Sequence, residues 1–222
     1  MSENRAHIII IDGEEGSGRK TLCFELSLIL LYNNQKTALI LKPDSKLKKV
    51  IETRTQRHPE LPSPCIISRE EFAQHAEQFN AVIIPESTAN DTFAEDASTY
   101  ITVLKHNKNT AKQFQNNLSY INSVWELKKK IASLHNHSLD WIVCQNNLYP
   151  TTRLETYEEL KQKSRLYGYR TPPPLNFRFA YQNITSGISA QDRTTPSLEK
   201  TLTYEDICAK REITKLAEFI FS

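Results

Sequence analysis

A doubly wound, mostly parallel α/β sheet with helices on both faces is the fold class that the sequence predicts, and three observations predict it. Short, uniformly apolar runs recur between longer helical stretches, which is the pattern of buried parallel strands. The first of these runs passes directly into a glycine-rich turn and then into a helix. The length, 222 residues, suits a single α/β domain over residues 1–222 with a sizeable core.

The organising stretch is Ile8 to Thr21, IIIIDGEEGSGRKT. Four isoleucines in succession are too few for a helix and too uniformly apolar for a half-exposed edge, so Ala6 to Ile11 reads as a buried strand. Gly13, Gly16 and Gly18 follow, spaced so that the chain can turn tightly and aim successive backbone N–H groups inward. The helix beginning near Lys20 or Thr21 points its positive end at the same place, which makes the loop a site for an anion. The loop nearly matches the phosphate-binding pattern G-x-x-x-x-G-K-[ST], with Gly13 and Gly18 as its glycines and Ser17 between them. Arg19 stands where the lysine belongs and Lys20 where the hydroxyl residue belongs. A guanidinium is wider than an ammonium and does not replace it conservatively, and Lys20 cannot hold magnesium. A register in which Lys20 and Thr21 act one residue late, or a bare glycine-rich strand-to-helix turn, are the alternatives.

Residues Thr21 to Asn33 form a helix apolar almost all round, and so buried on more than one side. Thr37 to Leu41 is a second strand, stopped by Pro43, and the basic segment after it runs from a loop into a short helix whose lysines make a solvated face. Cys65 to Ile67 is a short strand. Ser68 with Glu71 forms a capping box for a helix over Arg69 to Gln78. Ala81 to Ile84 is another buried strand, ending at Pro85-Glu86. Tyr100 to Leu104 is a strand, Lys105 to Asn117 a polar stretch, and Leu118 to Leu134 a helix carrying Lys128, Lys129 and Lys130. His135 and His137 lack a third metal ligand and read as a solvated loop. Leu139 to Cys144 is a strand, and Thr151 or Thr152 caps a charged helix that Gly168 closes. The prolines at 172–174 make a connector, residues Asn176 to Asp192 are ambiguous, and Thr185 to Pro196 reads as a flexible loop. The last helix runs from Tyr204 to Phe221 with Ala209, Ile213, Leu216 and Ile220 on one face.

The formal charge of +2 excludes a globally basic nucleic-acid field and leaves only local patches. Cys23, Cys65, Cys144 and Cys208 are widely separated, with no C-x-x-C pair, and read as buried thiols of a reducing compartment. The start lacks a signal-peptide pattern and the longest apolar run is far short of a bilayer span, so the expected compartment is the cytoplasm.

EEGSGRKT resembles a decayed form of the ParA/MinD deviant Walker A motif, K-G-G-x-G-K-[ST]-T. VWELKKKIASLHNHSLDWIVCQNNL (Val124 to Leu148) and the closing AKREITKLAEFIF are similar to the MipZ family, ParA-type ATPases that position the division plane in alphaproteobacteria. LNFRFAYQNITSGIS resembles the MipZ stretch with an Arg and a Tyr at the positions of Arg178 and Tyr181, and the W-x-V-x-x-N block from Trp141 to Asn146 is the most discriminating part. The resemblance implies a P-loop NTPase fold and a nucleotide site at Gly13, Gly16, Ser17, Gly18, Arg19, Lys20 and Thr21, with Asn146 where the family contacts adenine. It also shows what is changed. The family's signature lysine aligns with Glu14, its loop lysine with Arg19, and its magnesium-binding serine with Lys20. The D-x-D aspartates align with Leu41 and Pro43, leaving only Asp44 nearby, and the Walker B aspartate aligns with Pro85.

Phosphoryl transfer depends on positioning and on charge neutralisation by metal, lysine and carboxylates, so their joint loss predicts lost hydrolysis. The leading expectation is a MipZ/ParA-like protein of division or chromosome positioning that binds ATP weakly, without an assured magnesium, and acts through contacts. The resemblance implies ParB-like and FtsZ-like partners, ATP-dependent dimers, and non-specific DNA binding through side chains such as Lys105, Lys108 or Lys128 to Lys130. The competing expectation is a working ATPase rebuilt in shifted register from Arg19, Lys20, Thr21, Asp44 and Glu86. A third is a fold that binds another anion, or none, and works only through protein contacts.

Overall fold

A computed structural model of the chain describes residues 6–85, 87–149, 154–192 and 202–222. They fall into two compact units, one built from residues up to 7, 20–85 and 177–222, the other from 8–19 and 86–176.

The first unit holds β2 (Thr37–Ile40), β3 (Cys65–Ile67) and β4 (Ala81–Pro85), in the order β3-β2-β4 and all parallel. Leu39 faces Ile66 on one side and Ile83 on the other, so the pleat of β2 is fixed by aliphatic pairs. Its helices are α1 (Arg19–Tyr32), whose first residue belongs to the other unit, α2 (Lys46–Arg57), α3 (Arg69–His75) and the C-terminal α7 (Tyr204–Ile220). The body of α1 is buried continuously from Leu22 to Leu30, as a helix apolar on every side must be. Ser68 accepts from the Glu71 N–H while the Glu71 carboxylate accepts from the Ser68 N–H, the capping box expected for α3. Ala209, Ile213, Leu216 and Ile220 of α7 are all buried, as their spacing requires.

The stretch after the proline connector departs from expectation. Phe179–Ser186 is a 3₁₀ helix, and Ser189 to Asp192 are buried rather than part of a flexible loop. Residues 193–196 of that expected loop lie outside the described residues. The reason is a buried ion pair that composition does not reveal. Arg54 donates from both terminal nitrogens to the Asp192 carboxylate at 2.6 and 2.7 Å, and further to the Gly187 and Pro62 carbonyls at 2.7 and 2.8 Å. Tyr32 and the Ser189 N–H also donate to Asp192, and Glu25 accepts from the Ala190 N–H. Burial, with Asp192 beside it, raises the Tyr32 pKa well above the ordinary phenol value. Gly187 has φ +78°, and a Cβ there would sit 2.7 Å from the Arg54 Cα, so only glycine lets the segment close over α2.

The second unit holds β1 (His7–Gly13), whose first residue belongs to the other unit, β5 (Thr99–Lys105) and β6 (Asp140–Asn146), parallel and in the order β1-β5-β6. Its helices are α4 (Thr110–Asn116), α5 (Leu118–His135) and α6 (Glu155–Tyr167). The polar stretch from Lys105 to Asn117 therefore contains a short helix, which Ala111 and Phe114 bury. β6 runs two residues past Cys144, so Asn146 ends a strand and pairs with Lys105. Gly168 closes α6 at φ +68°. Thr151 and Thr152, the expected caps, lie outside the described residues.

The cysteines are only partly as expected. Cys23 and Cys144 are buried, Cys208 is half-buried, and Cys65 is exposed, because β3 shows its first side chain to solvent. Burial pushes the Cys144 thiol up to about 12. Since the thiolate is the reactive form, a thiol reagent is expected to label Cys65 in the native protein and Cys144 only after denaturation. Mass spectrometry of the time course checks this; fast native labelling of Cys144 would contradict its burial.

Candidate functional site

The phosphate-loop region begins at the carboxyl end of β1. Gly13 passes close to β5: a Cβ on it would collide with the Val103 carbonyl oxygen and come within 2.9 Å of the Ser17 hydroxyl. Gly16 and Gly18 have φ of +76° and +88°, the left-handed region that glycine enters without strain. The Ser17 N–H donates to the Glu14 carbonyl at 3.1 Å, and α1 starts at Arg19, so the loop closes directly onto a helix N-terminus.

Five of the eight expected site residues are joined by contacts. Arg19 donates from Nη1 to the Gly13 carbonyl at 2.8 Å, with the same nitrogen 3.8 Å from Asp12 Oδ1. Asn146 donates from Nδ2 to the Ser17 carbonyl at 2.8 Å and lies against Gly18. Gly16 stands at the exposed turn, and Lys20 and Thr21 form the first turn of α1 beside Arg19. Ser17 is fully buried, and its hydroxyl has no hydrogen-bond partner among the described residues. An unpartnered buried hydroxyl inside a loop of positive-φ glycines fits an anion.

The residues fit a divalent cation poorly. Lys20 holds the hydroxyl position and Pro85 ends β4 where the resemblance places a carboxylate. Glu14 is exposed beside the loop. Asp44 is exposed in the other unit, and Glu86 lies outside the described residues. Among the described residues no cluster of three or more His, Cys, Asp or Glu side chains could hold a metal; His135 and His137 stack at 5.7 Å, and His135 lies 3.5 Å from Asp96.

A polar cluster behind the loop went unnoticed in the sequence. Asp12 accepts at Oδ2 from Tyr100 at 2.7 Å and from Tyr120 at 3.1 Å, and at Oδ1 from the Gly13 N–H at 2.7 Å. Thr102 lies 2.9 Å from the Tyr120 hydroxyl and accepts from the Trp141 indole at 3.0 Å. Burial, followed by the Tyr120 and Asp12 neighbours, drives the Tyr100 phenol far above its usual range, and burial beside Asp12 raises Tyr120 as well. Both rings therefore stay donors to the carboxylate. The signal was present: Asp12 interrupts an apolar strand, and Tyr100 and Thr102 share one face of β5 at a spacing of two.

The lysines considered for DNA are mostly engaged. Lys128 donates to the Gly168 carbonyl at 2.8 Å, Lys129 pairs with Glu126 at 2.7 Å, and Lys130 with Glu95 at 2.6 Å.

A parallel α/β fold with a glycine-rich turn leading from its first strand into a helix N-terminus defines the class of phosphate-loop proteins. The family model described as ATPase MipZ matches residues 69–220, and the chain belongs to that family. Among solved structures, a putative plasmid partition protein from Borrelia burgdorferi bound to AMPPNP is similar at TM-score 0.60 and 13% identity, covering 98% of each chain. The MinD cell division protein of Aquifex aeolicus is similar at TM-score 0.55 and 13% identity, covering 97% of each. Cobyrinic acid a,c-diamide synthase from Mycobacterium smegmatis, with bound ATP analog and magnesium, is similar at TM-score 0.56 and 12% identity, covering 97% of this chain and 94% of that one. At such identities the likeness establishes the ParA/MinD-type fold. No curated protein sequence matches the chain.

Proposed function

We propose that this MipZ-family chain has kept the phosphate loop as a weak nucleotide site and has lost hydrolysis, acting through protein contacts in cell division or chromosome positioning. The observation that carries the reading is Arg19: its guanidinium is turned onto the Gly13 carbonyl beside Asp12, closing the loop on itself. Glu14, Lys20 and Pro85 at the altered positions support it, because charge neutralisation by lysine, metal and carboxylate is what phosphoryl transfer needs. ATP and ADP are held by the loop N–H groups, with Ser17, Arg19, Lys20 and Thr21 around the phosphates and Asn146 at the base side.

ParB-like and FtsZ-like proteins are the proposed partners, on family resemblance, and a homodimer is the proposed assembly. Cytoplasmic placement is supported by the free cysteines; among the described residues no helix is long and apolar enough to cross a membrane. Of the basic side chains considered for DNA, Lys105 and Lys108 remain, so any DNA affinity is weak and strongly salt-dependent.

Titration calorimetry with ATP and ADP, with and without magnesium, tests the reading alongside a turnover assay on the same sample. The expected result is a dissociation constant of roughly 1 mM, about −4 kcal/mol, indifferent to magnesium and without turnover. Magnesium-dependent binding with turnover would instead establish the shifted-register ATPase. No heat at all would leave a scaffold that works only through protein contacts.

A further inference from the structure

The second unit also contains a cavity of about 490 Å³ between the carboxyl ends of β1 and β5 and the helices α4 and α5. Its size falls within the range of small-molecule sites. Its inner wall is apolar, made by Leu104 and Phe114, and Phe114 is held edge-on to Tyr120 at 6.3 Å. Such a wall receives a planar ring. The remaining lining is hydroxyl and amide. The side chains of Thr88, Asn90, Gln113 and Ser119 make no hydrogen bond to the described residues, so each is available to a ligand.

The lining offers a phosphate no cation in excess. Its ionisable side chains in the ordinary range of pH are Asp12, Glu14 and Lys105, and Asp12 is already engaged: it accepts from two tyrosines and a backbone N–H and lies 3.8 Å from the Arg19 guanidinium. Glu14 faces this cavity, at a position where a lysine would have given the opposite sign. Arg19 then offsets Asp12 and Lys105 offsets Glu14, so no cation is in excess to hold a polyanion, whereas a neutral ligand needs none.

We propose that this cavity binds an uncharged small molecule joining a planar ring to hydroxyl or amide groups, with nucleosides lacking phosphate as the chemical class. The ring lies against Phe114 and Leu104, and the hydroxyl or amide groups meet Asn90, Gln113 and Ser119. The proposal does not rest on the nucleotide reading, because it invokes no contact with the phosphate loop's N–H groups.

Saturation-transfer NMR on the full chain tests it with adenosine and uridine as probes, and with ribose and inorganic phosphate as comparators. The nucleosides are expected to give signal that neither comparator displaces. Gln113→Trp, at an exposed position of α4, and Asn90→Trp, at an exposed turn, each fill the cavity; each is expected to weaken nucleoside binding at least tenfold with the thermal midpoint retained. Absence of nucleoside signal at millimolar concentration overturns the proposal. So does signal unchanged by both variants and displaced by ADP, which would place the probe in the ordinary nucleotide site.

Discussion

Asp192→Ala is expected to destabilise the protein by about 3–5 kcal/mol, the usual cost of leaving one member of a buried ion pair without its partner. Arg54 and Asp192 are both wholly buried, and their contact is bidentate. The loss would strand a guanidinium whose other hydrogen bonds, to Gly187 and Pro62, cannot compensate its charge. It would also release Tyr32 and the Ser189 N–H from their shared acceptor. The Arg54→Met/Asp192→Leu double variant, which removes both charges, is expected to be closer to the parent than either single change. Urea unfolding of Asp192→Ala, of Arg54→Met, of Asp192→Leu and of the double variant decides it. A double variant as unstable as the sum of the singles would mean that the two side chains do not couple, and would overturn the prediction.

This pair also marks where reading the sequence stops. Strand and helix positions were legible because they depend on local pattern: the apolar run of β1, the all-round burial of α1, the Ser68–Glu71 box and the α7 face each follow from a few neighbouring residues. Residues 187–192 fall in the stretch from Thr185 to Pro196 that reads as a loop because Thr, Ser, Gly and Gln have loop composition. What holds them is Arg54, more than 130 positions away, and no local pattern carries that information. The short helix α4 escaped for a related reason, since its burial rests on Phe114 meeting Tyr120 of α5, Trp141 of β6 and Tyr169 just after α6.

The loop itself was half legible. Glycines at 13, 16 and 18 require the turn, and the structure gives the positive φ and close approaches that make them necessary. The replaced residues could be named but not placed. Sequence shows Arg19 in a lysine position; only the structure shows its guanidinium on the Gly13 carbonyl, and only the structure joins Asp12 to Tyr100 and Tyr120 behind it.

Combining Glu14→Lys, Arg19→Lys and Lys20→Ser is expected to raise ATP affinity at least tenfold, about 1.4 kcal/mol, without creating turnover. Glu14 is exposed beside the loop, so its reversal replaces a repelling charge by an attracting one. Lysine at position 19 supplies a compact ammonium that can leave the Gly13 carbonyl for a phosphate more readily than a planar guanidinium held by geometry. Serine at position 20 supplies the hydroxyl a magnesium ion needs, so the gain should also become magnesium-dependent. Turnover should stay absent because Pro43 and Pro85 still occupy positions that the resemblance assigns to carboxylates, and neither can orient water or complete the metal shell. Calorimetry with and without magnesium, beside a phosphate-release assay, reads both halves, with the melting temperature confirming that the variant is folded. Unchanged affinity in a folded variant would show that the loop is not a nucleotide site; turnover would show that Asp12, Asp44 or Glu86 can replace the missing carboxylates.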